Sequence, residues 1–234
     1  GPLATRGDEF GELARSFNHM AEQVSGMLET QRQLLNDMSH ELRTPLSRLS
    51  VALESQMSET KLRQRVEQEL HHMRTLVDDT LALGWQDTDT GTSGLESLSL
   101  PALWEMIVEN AVFESGWDKC RFPCALPDDA LVYGNLNVLA QVFENLVRNA
   151  INYSGSGDVT IVVMDKAVQV VDYGAGMDAD ELARVLQPFE RGGSLEGGHG
   201  LGLAIVQRLC ERYDWELMVA SEPGKGTEVR VQFS

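Results

Sequence analysis

The stretch Asn36-Asp37-Met38-Ser39-His40-Glu41-Leu42-Arg43-Thr44-Pro45-Leu46 lies within residues 8–57, a run with almost no helix breakers. Leu34, Met38, Leu42, the pair Pro45 and Leu46, Leu49 and Leu53 recur there at three- and four-residue steps, which predicts one long amphipathic helix. The polar residues 55–60 are expected to turn the chain. Leu62, Val66, Leu70, Met73, Val77 and the pair Thr80 and Leu81 then repeat the spacing, so a second, antiparallel helix follows. A single hairpin cannot cover both apolar stripes, whereas two copies of the chain can, as a four-helix bundle. The pattern therefore predicts a homodimer.

Each helical residue advances its side chain by about 100°, which places His40 roughly 200° from both Met38 and Leu42, away from the packing stripe. Its imidazole is expected to face solvent, with Thr44 on the same face and Ser47 a turn further on. Neutral imidazole is a nucleophile near neutral pH, and a neighbouring carboxylate, Glu41, can take the ring proton as the other nitrogen attacks phosphorus. Pro45 lacks an N–H and crowds the carbonyl of Glu41, so a bend is expected just past the histidine. An exposed histidine beside charges is, alone, ordinary surface, as His71 and His72 are read to be. His40 gains weight from glycine-rich segments more than a hundred residues downstream.

The 234 residues, 42% of them hydrophobic, suffice for one or two compact domains. A formal net charge of -17 sets the field of the whole molecule against DNA, RNA and anionic lipid, so direct nucleic-acid binding is not expected. Cys120, Cys124 and Cys210 form an odd, sparse set that fits a reducing compartment and reads as core packing. A zinc or redox role for Cys120 and Cys124 lacks a second pair to complete it. No apolar run approaches the roughly 20 residues that span a bilayer, so the stretch reads as a soluble, cytoplasmic-side piece.

Residues 84–94, rich in Asp, Thr and Gly, carry no periodicity and read as a linker. Beyond it strands are expected at 98–100, 120–122, 131–133, 159–164, 167–172, 216–221 and 227–233. Helices are expected at 101–115 with Pro101 in the first turn, and at 135–153, 179–186 and 201–213. Pro223-Gly224-Lys225-Gly226 supplies the last turn. The fold class is thus α plus α/β: a helical hairpin forming a dimeric four-helix bundle, followed by an α/β sandwich.

Three segments of that second half suit a nucleotide. Asn145-Leu146-Val147-Arg148-Asn149-Ala150 sets two amides one turn apart on a helix, where their oxygens can meet a magnesium ion and phosphates. Asp172-Tyr173-Gly174-Ala175-Gly176 ends a strand with a carboxylate able to accept the exocyclic amine of adenine, followed by glycines that permit close backbone approach. Gly198-His199-Gly200-Leu201-Gly202-Leu203 opens a helix, whose N–H groups and positive dipole end suit phosphate. It is neither a lysine-bearing P-loop nor a dinucleotide fingerprint, because it follows a loop. Residues 192–197, between Pro188-Phe189-Glu190-Arg191 and that run, read as a lid.

The run His40 to Leu46 resembles the H-box of bacterial two-component sensor histidine kinases. The later segments, in this order, resemble the N, glycine and F boxes of that family's ATP domain, a GHKL fold shared with gyrase-type ATPases. The resemblance implies an ATP- and Mg2+-dependent protein-histidine kinase that autophosphorylates His40, with Glu41 as base, and passes the phosphoryl group to an aspartate of a response regulator. Thr44 would orient water for dephosphorylating that regulator. Asn145 and Asn149 would serve magnesium and phosphate, and Asp172 would read adenine with Gly174 and Gly176 as its wall. Gly198, Gly200, Leu201, Gly202 and Leu203 would border the phosphates, Tyr153 would join the nucleotide set, and Gly224, Gly226 and Thr227 match the last box. Asn152 stands where the family often has a basic residue, so Arg148 or Arg191 would supply that charge; His199 is read as structural.

Residues 8–20 are similar to the closing half of a HAMP linker, which implies a receptor of the bacterial inner membrane whose transmembrane input end lies outside this chain. Domains are accordingly expected at 1–28 (end of HAMP linker), 29–86 (dimerisation and phosphotransfer hairpin), 87–96 (linker) and 97–234 (catalytic ATP-binding domain). Two alternatives stay open from the sequence: a GHKL-type ATPase without phosphohistidine, and a non-catalytic signalling scaffold.

Overall fold

The computed structural model describes residues 9–55, 57–84, 95–155, 157–164, 167–190 and 199–233. The chain divides into two compact units, residues 1–80 and 81–234.

The first unit is a helical hairpin. α1 (Glu9–Glu54) runs for 46 residues and continues through Pro45. α2 (Glu59–Gly84) follows the short connection. The hydroxyls of Ser39, Ser47 and Ser50 donate to the carbonyls of Leu35, Arg43 and Leu46, four residues back, so these polar groups are satisfied without leaving the helix. Pro45, Ala52, Leu76 and Leu83 are buried, and Leu34, Met38, Leu42, Leu62, Val66 and Met73 half-buried. Leu46, Leu53, Leu70 and Leu81, expected in the stripes, are exposed instead. The contact between two helices is narrow, and a neighbour about 100° around the helix falls outside it. Of the expected pairs, Pro45 and Thr80 are the buried members, and Ala52 and Glu69 take the places one residue before Leu53 and Leu70.

Glu69 is therefore a carboxylate in an apolar stripe, 2% exposed. Its Oε1 lies 3.2 Å from Arg65 on its own helix and 4.0 Å from Arg48 on α1, and Oε2 lies 4.0 Å from His72 Nδ1. Burial of a charge is tolerated only with such partners, and the Arg48 pair ties one helix to the other.

The second unit is an α/β sandwich. It contains β1 (Leu95–Ser99), α3 (Leu100–Ser115), β2 (Cys124–Ala125), β3 (Leu131–Asn135), α4 (Leu136–Tyr153), β4 (Val159–Met164), β5 (Ala167–Asp172), α5 (Ala179–Leu182), α6 (Gly202–Tyr213), β6 (Glu216–Glu222) and β7 (Gly226–Gln232). The main sheet has the order β2-β4-β5-β7-β6, antiparallel except for the β2–β4 pair, and β1 pairs with β3 separately. Period-two alternation puts Ile161, Val170, Val229 and Val219 in one cross-strand row on the covered face. Leu139, Val142, Phe143, Leu146, Val147 and Ala150 form the matching stripe of α4, and Leu203, Val206 and Cys210 that of α6. The Asn135 side chain caps α4 by accepting from the N–H groups of Asn137 and Val138. The expected fold class is borne out: a helical hairpin followed by an α/β sheet domain.

Three local expectations fail. Residues 120–122 are not a strand: Lys119–Arg121 is a 3-10 turn, and Phe122 is buried beside Trp117, ring centroids 5.8 Å apart. The helix expected at 179–186 ends at Leu182, where the bonds from Arg184 N–H to Glu181 and from Gln187 N–H to Arg184 close three-residue turns. Cys120 and Cys124 are exposed, not core, because one sits on that surface turn and the other on the edge strand; Cys210 is buried. Among the described residues no helix is long and apolar enough to cross a membrane.

Candidate functional site

A cavity of about 310 Å3 opens where α4, the ends of β5 and β7, and the start of α6 meet. Eight of its lining residues belong to the expected set: Asn149, Tyr153, Asp172, Gly176, Gly200, Gly202, Leu203 and Thr227. The sheet register explains part of that gathering, since Asp172 at the end of β5 lies opposite Thr227 at the start of β7.

Asp172 is 7% exposed, and its Oδ1 accepts the N–H of Gly174 at 2.9 Å. Burial pushes its carboxyl above the ordinary aspartate range, while the N–H groups of Gly174 and Thr227 hold it back. Leu146, Ala150, Val170, Met177 and Val229 supply apolar lining. An acceptor at the end of an apolar slot suits a flat heteroaromatic ring that donates an amine.

Gly176 turns the chain there with φ +66°, and a Cβ on it would overlap the Glu222 carbonyl. The turn is held from the other side by Ser221, whose hydroxyl accepts the Met177 N–H and donates to Gly226 O. Gly174 does not line the cavity; it lets Ala175 approach α4, where the Ala175 N–H reaches Tyr153 O at 3.3 Å.

At the other end, α6 begins without a side-chain cap, its N-cap being Leu201. Among the described residues no side chain caps it, and a helix start of that kind suits an anion. A Cβ on Gly202 would lie 2.8 Å from the Asn149 amide, so that residue allows Asn149 to sit against the helix start. The Phe189 N–H donates to Gly200 O at 2.9 Å, tying the segment Pro188-Phe189-Glu190 to the residues that open α6. Arg191, Gly198 and the lid residues 192–197 lie outside the described residues.

Asn145 and Arg148 do not line the cavity. Asn145 is 3% exposed, donates to Gln141 O at 2.8 Å and accepts from Arg148 Nη2 at 2.6 Å. Leu201 is buried beneath the α6 start. Sequence reasoning gave no role to Glu181, Glu190, Met177 or Val185, which line the cavity. Glu190 was visible in the motif Pro188-Phe189-Glu190-Arg191, whereas Val170 and Val229 carry the pattern of any inward strand residue. Among the described residues no group of three or more His, Cys, Asp and Glu could hold a metal unaided. A divalent cation here would rest on amide and ligand oxygens, the hard donors magnesium takes.

In the other unit His40, Thr44 and Ser47 are all exposed on one face of α1, as their spacing requires. Glu41 is half-buried beside His40, and Pro45, on the opposite side, is buried.

Three family models match the chain. Residues 134–234 match the histidine kinase-, DNA gyrase B-, and HSP90-like ATPase family, residues 30–89 the His Kinase A (phospho-acceptor) domain, and residues 1–26 the HAMP domain. The chain is 41% identical over 230 residues to the sensor protein PfeS of Pseudomonas aeruginosa, covering 95% of this chain and 52% of that protein. It is 32% identical over 219 residues to the sensor histidine kinase CpxA of Escherichia coli, covering 88% and 47%. It thus spans about half the length of these relatives. The Acinetobacter baumannii histidine kinase AdeS shares the fold, with a TM-score of 0.64 at 21% identity over 83% of this chain and 98% of that one. Full-length ShkA, solved in complex with AMPPNP, gives a TM-score of 0.56 at 26% identity over 86% and 45%.

Proposed function

The chain belongs to the sensor histidine kinases of bacterial two-component systems, and on that premise we propose that it is the ATP-dependent kinase portion of a membrane receptor that phosphorylates itself on His40. The observation that carries this reading is that one chain holds a solvent-facing imidazole on α1 and, in its other unit, an apolar cavity ending in the buried carboxylate of Asp172.

In the proposed reaction, the His40 imidazole attacks the γ-phosphorus of ATP. A nitrogen–phosphorus bond forms, the bond to the bridging oxygen breaks, and ADP departs with the electron pair. Glu41 receives the proton from the other ring nitrogen, which keeps the ring nucleophilic. Asp172 accepts the purine amine, Leu146, Val170 and Met177 bound the ring, and the N–H groups at Gly202 and Leu203 face phosphate oxygens. Asn149 and Asn145 would hold Mg2+, the latter once its Oδ1 exchanges the Arg148 guanidinium for the ion. Bound there, the cation neutralises developing phosphate charge. Phosphohistidine then passes its phosphoryl group to an aspartate of a response regulator, freeing the His40 imidazole, and Thr44, a turn from His40, orients a water that attacks the regulator's aspartyl phosphate and releases inorganic phosphate and the free carboxylate.

The homodimer has support of its own. Leu13, Phe17, Met20, Val24 and Met27 follow one another at steps of four and three along α1, all exposed. That is the seam of a coiled coil, and a second copy of α1 offers the complementary seam. The HAMP match over residues 1–26 supports placement on the cytoplasmic side of the inner membrane.

Incubation with γ-labelled ATP and Mg2+ is expected to give acid-labile, base-stable label that is absent from His40→Gln. Label persisting in that variant removes His40 as acceptor, and steady phosphate release without any phosphoenzyme favours the plain ATPase. Thr44→Ala is expected to keep autophosphorylation while slowing dephosphorylation of the regulator; loss of both together removes its separate role.

A further inference from the structure

Arg121 lies outside the cavity and outside every motif above, yet its contacts converge on the cavity wall. Its Nη2 donates to Gly157 O at 2.6 Å and Gly155 O at 3.2 Å, just beyond the C-terminus of α4. Its Cζ sits 3.2 Å from the centroid of the Trp117 ring, and Trp117 leans on buried Phe122. The guanidinium is thereby held on the core side by an aromatic face and presents its donors to two carbonyls, a task its planar fork performs better than an ammonium.

The residues it holds back the purine end of the cavity. The Gly157 N–H donates to Ser154 O at 2.9 Å, and a Cβ on Gly157 would come within 3.0 Å of Tyr173 O. A Cβ on Gly174 would overlap Tyr153 O and lie 2.6 Å from Ser154 Cα. The segment after α4 and the turn after Asp172 are therefore packed backbone to backbone, with no side chain between them to absorb movement. Tyr153, Asp172 and Ala175 emerge from those two segments into the cavity.

We infer that Arg121 is a positioning residue for the purine: by clamping Gly155 and Gly157 it fixes the wall on which Asp172 is aimed. The inference rests on the nucleotide reading of the cavity. It assigns Arg121 to the base-reading end alone, because its contacts reach neither Gly200 nor Gly202 at the phosphate end.

Calorimetric titration of the intact chain with ADP and with inorganic triphosphate, each with Mg2+, separates the possibilities. Loss of a charge-assisted hydrogen bond predicts about a tenfold weaker ADP complex in Arg121→Met. Inorganic triphosphate is expected to bind that variant as it binds the parent. Arg121→Lys, which keeps the charge but neither the fork nor the planar stack on Trp117, is expected to lose ADP affinity in the same direction by less, and covers the case in which Arg121→Met does not fold. Equal ADP affinity in parent and Arg121→Lys overturns the inference, as does parallel weakening of both ligands, which marks a merely structural role. A parent that binds no ADP overturns the nucleotide reading itself and this inference with it.

Discussion

Leu76 in the hairpin and Val231 in the main sheet are both fully buried, but their surroundings differ. Around Val231 the sandwich closes on itself: α4 and α6 cover one face of the sheet, and the buried residues form one contiguous cluster from Leu100 to Phe233. In the unit of Leu76 the interior is thin, holding Ala52 together with the polar Glu69, Asp79 and Thr80, while Leu46, Val51, Leu53 and Leu70 face outward. One unit carries a whole core within its own chain. The other carries a fraction of one, with the apolar surface that a second hairpin would complete.

The largest test of that contrast is Gly174→Val. A side chain there would overlap the Tyr153 carbonyl, a backbone atom that cannot step aside. A loss of about 4 kcal/mol or more is expected, confined to the sandwich. In a thermal melt followed by circular dichroism the sheet transition should disappear while helical signal remains; an unaltered melt would show that the wall is not rigid.

Core truncation should sort the units by concentration dependence. Phe143→Ala, in the sandwich, is expected to cost about 3–5 kcal/mol and Leu76→Ala, in the hairpin, about 2–5 kcal/mol. Only the second loss should shrink as protein concentration rises, because association of hairpins restores stability by mass action. Equal behaviour of the two variants across a hundredfold dilution series would break the contrast.

Glu69→Leu should move the hairpin the other way. Replacing a buried charge with an apolar side chain is expected to be neutral or to raise stability by up to about 4 kcal/mol, by removing desolvation along with the Arg65 and Arg48 pairs. A clear fall in the hairpin's denaturant midpoint would mean that the ion pairs contribute more than burial costs.

Thiol reactivity offers a gentler probe. Burial, aided by Glu211, pushes the Cys210 thiol up to about 12. At pH 8 a thiol reagent should modify Cys120 and Cys124 and spare Cys210 until the sandwich unfolds. The sign for stability follows: below the ordinary thiol value of 9.0 the Cys210 contribution is fully present, and it is lost as pH rises from there toward about 12. Rapid labelling of all three cysteines in the native protein would contradict this burial.

The smallest effect belongs to Phe113, 89% exposed on α3 despite its size. Phe113→Ser is expected to change stability by no more than about 0.5 kcal/mol, read from the denaturant midpoint.

Much of the architecture was legible because it rests on period. The three- and four-residue steps of α1 and the alternation of β4 and β5 are local, and both strands run at the predicted residues, Val159–Met164 and Ala167–Asp172. His40 could be placed outward from angle alone, since 100° per residue is a property of any helix. The end of the cavity at the start of α6 was legible for a similar reason: glycines before a helix start announce themselves in order along the chain.

What periodicity could not supply was the phase of each packing stripe. Leu46, Leu53, Leu70 and Leu81 are as apolar as the residues that are buried, and only the approach of the second helix decided that Ala52 and Glu69 lie inside and that Pro45 and Thr80, not their stripe partners Leu46 and Leu81, do. Cys120 and Cys124 went to the surface because one lies on the 3-10 turn and the other on the strand that ends the sheet, facts of placement and not of composition. Val170 and Val229 became cavity walls, and Arg121 a donor to the Gly155 and Gly157 carbonyls, through contacts between residues far apart in sequence. The residue types set which interactions were available; the tertiary structure chose among them, because burial and hydrogen bonding depend on neighbours that the local sequence does not contain.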